Sequence, residues 1–128
     1  MSSHRWIGIA SLVAATGVLL GAFGAHALKE RLEAAGELAN WQTGVRYQMW
    51  HALALAFVAL LSERRRVPGF VPWAFLVGTA CFSGSIYLLA LRLGTSYVWP
   101  FTPLGGTLLI GGWLVLAASA LRFQGPED

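Results

Sequence analysis

Four apolar runs, each close to the length that a helix needs to cross a lipid bilayer, occupy most of this 128-residue chain. A hydrocarbon core about 30 Å thick requires roughly 20 residues of α-helix. The runs predict membrane spans over about residues 6–28, 44–62, 71–91 and 103–121. Because only short connections remain between the spans, we expect residues 1–128 to form a single transmembrane domain.

The composition points to the same class of protein. Hydrophobic residues make up 56% of the chain and charged residues 12%, against a usual charged share of ~25%. A soluble domain of this size could not bury so much apolar surface, because small domains have a high ratio of surface to volume. The composition therefore excludes a soluble enzyme and a disordered chain. A disulfide scaffold is also excluded, since Cys81 is the only cysteine.

The predicted fold is all-α, an integral membrane four-helix bundle with up-down topology. Membrane helices associate through close packing of small residues. Such residues recur at helical spacing in the spans, as Gly17, Gly21 and Ala25 do in the first. Between the first and second spans, Leu28 and Leu32 are spaced by four among charged residues. This pattern predicts a short amphipathic segment at the membrane interface.

Arginines indicate the orientation of the bundle. The loop between the second and third spans contains Arg64, Arg65 and Arg66, and Lys and Arg are enriched in short cytoplasmic loops. With four spans, this loop and both termini share one side, so we expect the N- and C-termini in the cytoplasm. We interpret the arginine block as a topology signal and a contact with anionic lipids, and we expect no nucleic-acid partner.

Polar residues within the spans gather in the half of the bundle that lies away from the arginine loop. Ionisable groups inside a membrane are costly and suggest function by default. His51 shares one side of its helix with Tyr47 and Gln48, and His26, near the end of the first span, is expected at a similar depth. The candidate residues of this polar cluster are His26, Gln42, Arg46, Tyr47, Gln48, His51, Ser83, Ser85, Tyr87 and Thr102.

Three functions are open for the polar cluster. The first is helix packing or partner docking in a non-enzymatic membrane protein, through hydrogen bonds between helices. The second is binding of a lipid-like or redox small molecule, such as a quinone, a haem or a metal ion. The third, an oligomeric channel, has less support because the spans contain no Asp or Glu.

No catalytic constellation stands out in the spans. Ser83 and Ser85 have no acid nearby in their span, so they do not suggest a Ser-His-Asp arrangement. Neither His26 nor His51 belongs to a motif with metal-ligand spacing. We therefore expect no enzymatic activity, no catalytic residues and no bound cofactor or metal. The expected partner is the lipid bilayer, with a second copy of the chain and a lipid-like small molecule as further candidates.

Four segments, in this order, resemble those of a known family. They are GAFGAHALK (Gly21–Lys29), WQTGVRYQMWHALAL (Trp41–Leu55), FSGSIYLLAL (Phe82–Leu91) and TPLGG (Thr102–Gly106), followed by the GGW of the last span. The chain thus resembles the YgdD family, domain-of-unknown-function family 423, of small bacterial inner-membrane proteins, which is similar to animal transmembrane protein 256. The resemblance implies a four-helix, multi-pass protein of the bacterial inner (plasma) membrane and no established activity.

Overall fold

Every regular element in the computed structural model, which describes residues 1–122, is a helix. The long helices are α1 (Ser3–Ala25), α3 (Leu38–Leu61), α4 (Phe70–Ala90) and α6 (Phe101–Arg122), and the short ones are α2 (Lys29–Ala34) and α5 (Thr95–Val98). Each long helix is long and apolar enough to cross a membrane, the last of them counted together with α5. The prediction of an all-α membrane bundle is therefore confirmed.

The four long helices pack in the order in which they occur along the chain. α1 lies against α3, α3 against α4, and α4 against α6. As a result α3 and α4 are the inner pair. In each of them 44% of the residues in an apolar stretch of 18 are buried, against 17% for α1 and for the segment that ends with α6. Exposed apolar side chains cover the outer faces of α1 and α6, for example Leu12, Val18, Ile110 and Leu114. Such faces match lipid tails, which are as apolar as leucine.

The two ends of the bundle differ in their connections. At one end, the Ser3 hydroxyl donates to a carboxylate oxygen of Glu63 at 2.8 Å, and the rings of Trp6 and Trp73 meet edge to face at 5.1 Å. These contacts bring the start of α1 to the loop that joins α3 and α4. We call this end the arginine-rich end, after Arg64–Arg66. The opposite end, where α2 and α5 join the long helices, is called the hairpin end.

The short amphipathic segment predicted between the first two spans is α2. Its Leu32 is fully buried, and the Arg31 guanidinium donates to the carbonyl oxygen of Leu91 at 3.1 Å. Gly36 then takes a left-handed conformation, with φ +71°, which turns the chain into α3. α3 begins at Leu38, before the predicted start of the second span near residue 44, because its first turn and a half includes polar residues that are not part of the apolar run.

Small residues allow close contact at two helix pairs. A Cβ atom on Gly105 of α6 would overlap the backbone of Phe82 and would lie 2.7 Å from the carbonyl oxygen of Gly78. In the α1–α3 pair, a Cβ atom on Gly24 would lie 2.5 Å from the indole ring of Trp41. The glycines at these interfaces therefore allow the helices to lie as close together as they do.

Candidate functional site

Gln48 connects three helices through its side-chain amide. Its Nε2 donates to the carbonyl oxygen of Val13 and to the hydroxyl of Thr16, both at 2.9 Å. Its Oε1 accepts a hydrogen bond from the Tyr87 hydroxyl at 2.7 Å. Because the Val13 carbonyl can only accept, these partners determine which way the amide is oriented. α1, α3 and α4 therefore meet at a buried amide whose N–H groups and carbonyl oxygen all have partners.

His51 connects α3 to α6. Its Nδ1 lies 2.8 Å from the carbonyl oxygen of Tyr47, one turn earlier in the same helix, and its Nε2 lies 3.0 Å from the indole Nε1 of Trp113. A carbonyl oxygen only accepts and an indole N–H only donates. Nδ1 must therefore carry the proton, while Nε2 accepts from Trp113. The imidazole is held as one neutral tautomer with both nitrogens occupied.

Aromatic rings enclose the imidazole of His51. The Phe75 ring lies 5.6 Å from it and 4.8 Å from the indole of Trp113, as measured between ring centroids. The Tyr47 ring is nearly parallel to the imidazole at 6.1 Å. His51 is consequently only 6% exposed, and a ligand could reach its nitrogens only by displacing these neighbours.

Two serines of α4 make further polar contacts between helices. The Ser83 hydroxyl donates to the carbonyl oxygen of Gly44 in α3 at 2.7 Å. The Ser85 hydroxyl donates to the Phe82 carbonyl at 2.9 Å and lies 2.6 Å from the hydroxyl of Thr102. Because Ser85 uses its proton on the carbonyl, Thr102 is the donor between the two hydroxyls. α4 is thus hydrogen-bonded to both of its neighbours, α3 and α6.

His26 lies apart from the hydrogen-bonded residues of the predicted polar cluster. Its side chain is exposed at the end of α1. Because Gly24 faces Trp41 in the antiparallel α1–α3 pair, His26 lies roughly 18 Å along the bundle from the level of His51, at ~1.5 Å per residue. The expectation of a similar depth for the two histidines is therefore wrong. The two imidazoles cannot bind one metal ion or one haem together.

Gln42 and Arg46 also lie outside the network, with exposed side chains on the first turns of α3. Arg46 donates to the Thr43 hydroxyl at 3.3 Å within the same helix. Both residues border a shallow groove between α1 and α3 at the hairpin end.

Of the ten candidate residues, the structure places seven in hydrogen-bonded contacts between helices or along the buried face of one helix. They are Tyr47 (through its carbonyl oxygen), Gln48, His51, Ser83, Ser85, Tyr87 and Thr102.

Polar contacts also extend deeper into the bundle than expected. His51 lies near the midpoint of α3, and Trp113 lies past the midpoint of α6 toward the arginine-rich end. This pair therefore departs from the expectation that nearly all polar residues of the spans gather in the half away from the arginine loop. The physical reason is that tryptophan is typical of apolar spans, although its indole N–H is a hydrogen-bond donor. The Trp113 ring is 44% exposed, but its N–H reaches inward to His51.

Sequence reasoning missed Thr16 and Trp113 as partners in the network. Thr16 is a polar residue in the middle of the first span, which is a weak signal by itself. Thr79 of α4 was missed as well. Its hydroxyl is buried and has no hydrogen-bond partner within residues 1–122.

An open groove lies beside α4 at the hairpin end. It has a volume of about 560 Å³ and lies between α4, α5 and the start of α6. Its lining includes Cys81, Gly84, Leu88 and Phe101, together with Ser85 and Tyr87 of the polar cluster. No group of three or more His, Cys, Asp or Glu side chains comes together within residues 1–122, so the side chains described do not fit a multidentate metal site.

Three proteins similar to this chain are named as membrane proteins. The UPF0382 membrane protein of Haemophilus influenzae is 41% identical, over 88% of this chain and 92% of that protein. The UPF0382 inner membrane protein YgdD of Escherichia coli is 38% identical, over 97% and 95%. The UPF0382 membrane protein YwdK of Bacillus subtilis is 36% identical, over 92% and 97%.

A family comparison agrees with these similarities. The family described as "Protein of unknown function (DUF423)" matches residues 20–106. This range contains all ten residues of the predicted polar cluster. No solved structure matches the chain.

Proposed function

The chain belongs to the DUF423 family, and we propose that it is a non-enzymatic, multi-pass protein of the bacterial inner membrane whose polar cluster holds its helices together. Lipid tails are as apolar as leucine, so membrane helices associate through close packing and interhelical hydrogen bonds. Gln48 links α3 to α1 and α4, His51 links α3 to α6, and the Ser85–Thr102 contact links α4 to α6. Each adjacent pair of long helices is therefore joined by at least one polar contact.

The complete pairing of Gln48 and His51 carries this proposal. A metal ion or haem iron would need the lone pair of His51 Nε2, which accepts from Trp113. A quinone oxygen would need the Nδ1–H, which donates to the Tyr47 carbonyl. A ligand that displaced either partner would leave that partner without a hydrogen bond. This would cost several kcal/mol, because an unsatisfied polar group in hydrocarbon is unfavourable. The arrangement favours a structural role over a ligand site.

A single substitution at His51 tests the proposal. His51→Leu removes both hydrogen bonds and leaves the Trp113 indole without its acceptor. We expect it to destabilise the detergent-solubilised protein by about 1–2 kcal/mol, seen as a lower melting temperature by circular dichroism. His26→Leu is the matched control, because His26 is exposed, and its melting temperature should equal that of the wild type.

Native mass spectrometry of the same variants, released from lipid membranes, distinguishes the two main functions. The structural proposal predicts that wild type and His51→Leu carry the same bound molecules. A His51→Leu protein that keeps full stability but loses one specific molecule would overturn the proposal and would establish a ligand site at the polar cluster.

The groove beside α4 supports a second candidate function, the binding of a lipid-like molecule. Ser85 and Tyr87 line this groove, but their hydroxyls are engaged with Thr102 and Gln48. The remaining surface is apolar and suits an acyl or isoprenoid chain. A Cβ atom on Gly84 would meet nothing within 4 Å, so Gly84→Trp should fill the groove without disturbing the bundle.

Lipid extraction of the purified protein tests this second candidate. We expect Gly84→Trp to lose a lipid or quinone that the wild type retains, as measured by mass spectrometry of the extract. Gly8→Trp, at another open position on α1, should retain it. Equal lipid content in the wild type and Gly84→Trp would remove the groove as a binding site.

A further inference from the structure

We propose that the arginine-rich end carries a binding site for one anionic phospholipid, in a second groove between α3 and α6. This groove has a volume of about 260 Å³. Phe57 and Leu61 of α3 and Leu116 of α6 line its apolar part, and Arg65 and Arg66 of the α3–α4 loop form its charged edge. Apolar surface and positive charge therefore meet in one cavity.

The interior of this groove is suited to a hydrocarbon chain. Ser119 is a polar residue in its lining, but its hydroxyl donates to the carbonyl oxygen of Leu116 at 2.8 Å. The hydroxyl proton is thus engaged within α6. The volume is below the ~300–1,000 Å³ typical of pockets that enclose a whole small molecule. The groove is large enough for part of one acyl chain, with the rest of the lipid remaining in the bilayer.

The positive charge at the edge of the groove indicates which lipid headgroup it would bind. Arg65 and Arg66 are exposed, and the single ion pair within residues 1–122, Lys29 with Glu33, is at the hairpin end. Glu63, the acidic residue of the α3–α4 loop, accepts a hydrogen bond from Ser3. Guanidinium groups bind phosphate oxygens in a bidentate geometry, and basic segments beside a span attract anionic lipids. The complementary occupant is a phospholipid whose headgroup carries net negative charge.

The groove beside α4 lacks this combination. Its lining contains no charged side chain, so it offers nothing that would distinguish an anionic headgroup from a neutral one. The hairpin end also carries charges of both signs on α2, with Lys29 and Arg31 beside Glu30 and Glu33. Of these two grooves, only the one at the arginine-rich end is therefore expected to bind an anionic lipid selectively.

Native mass spectrometry of the full chain in detergent, titrated with dioleoyl phosphatidylglycerol or dioleoyl phosphatidylcholine, tests the proposal. The wild type should bind phosphatidylglycerol more tightly than phosphatidylcholine. Removing both guanidinium groups in R65Q/R66Q should weaken phosphatidylglycerol binding about 30-fold. The matched control, K29Q/R46Q, removes the same charge from exposed positions at the hairpin end and should bind phosphatidylglycerol as the wild type does.

A steric variant separates binding in the groove from general attraction to a charged surface. Ala120→Trp keeps both arginines and places an indole at an exposed position of the lining, so it should weaken phosphatidylglycerol binding while leaving the melting temperature unchanged. Three results would each overturn the proposal. They are equal binding of the two lipids by the wild type, an equal loss in K29Q/R46Q, and unchanged phosphatidylglycerol binding in Ala120→Trp.

Discussion

Single residues of the polar cluster differ in how far their roles can be predicted from the sequence. Gln48 and His51 attract attention because each is a polar side chain inside an apolar span. Their partners Thr16 and Trp113 cannot be identified in the same way, because the partner depends on how two helices are aligned and rotated. His26 shows the converse error: its chemistry suits a ligand, but its position at the end of α1 leaves it exposed.

The Gln48–Tyr87 hydrogen bond provides a prediction at this scale. Gln48→Met should destabilise the protein by about 1–3 kcal/mol, and Tyr87→Phe by about 0.5–1.5 kcal/mol, because each leaves buried polar groups without a partner. The double variant should lose less than the sum of the two, since one bond is shared between them. Unfolding in mixed micelles with increasing sodium dodecyl sulfate measures all three, and strict additivity would show that the two side chains do not interact.

The sequence predicts helices well where apolar residues continue for about 20 positions or, as in α2, recur at helical spacing among charged residues, and less well elsewhere. The first turns of α3, from Leu38 to Thr43, include Asn40 and Gln42, and their helical conformation is supported by packing rather than by hydropathy. The short helix α5 (Thr95–Val98) was not predicted at all. Its four residues give no periodicity to detect. By contrast, the small residues at helical spacing correctly indicated close helix contacts.

The contact of α4 with α6 can be tested with two glycine substitutions. Gly105→Ala adds a methyl group that would overlap the backbone of Phe82, so we expect a loss of about 1–3 kcal/mol as the helices separate. Gly84→Ala is the matched control, because its methyl group would meet nothing within 4 Å. It should be neutral or stabilising by up to about 1 kcal/mol. Equal effects of the two substitutions on thermal unfolding would contradict close packing at Gly105.

The whole molecule has an arginine-rich end and a hairpin end, and the orientation predicted from the sequence depends on this asymmetry. The α3–α4 loop joins two spans through only a few residues, where the preference of Lys and Arg for the cytoplasm is strongest. The start of α1 is held beside this loop by the Ser3–Glu63 hydrogen bond. An orientation that places the loop in the cytoplasm therefore places the N-terminus there as well.

Cysteine labelling tests this orientation. In a Cys81→Ala background, Ser2→Cys reports on the arginine-rich end and Glu33→Cys, an exposed position of α2, on the hairpin end. A membrane-impermeant maleimide added to intact spheroplasts should label only Glu33→Cys, and disruption of the membrane should expose Ser2→Cys. Labelling of Ser2→Cys alone in intact spheroplasts would show that the protein has the opposite orientation.

The central claim is that the protein itself holds the buried imidazole, so that the polar cluster is part of the fold. Two-bond proton–nitrogen NMR of protein labelled at its histidine nitrogens reports the tautomer directly, and loss of one ring signal in His51→Leu assigns the residue. At neutral pH we predict a proton on Nδ1, a bare hydrogen-bonded Nε2, and no change when zinc, haem or a quinone is added. A proton on Nε2, or nitrogen shifts that move with one of these ligands, would contradict the claim.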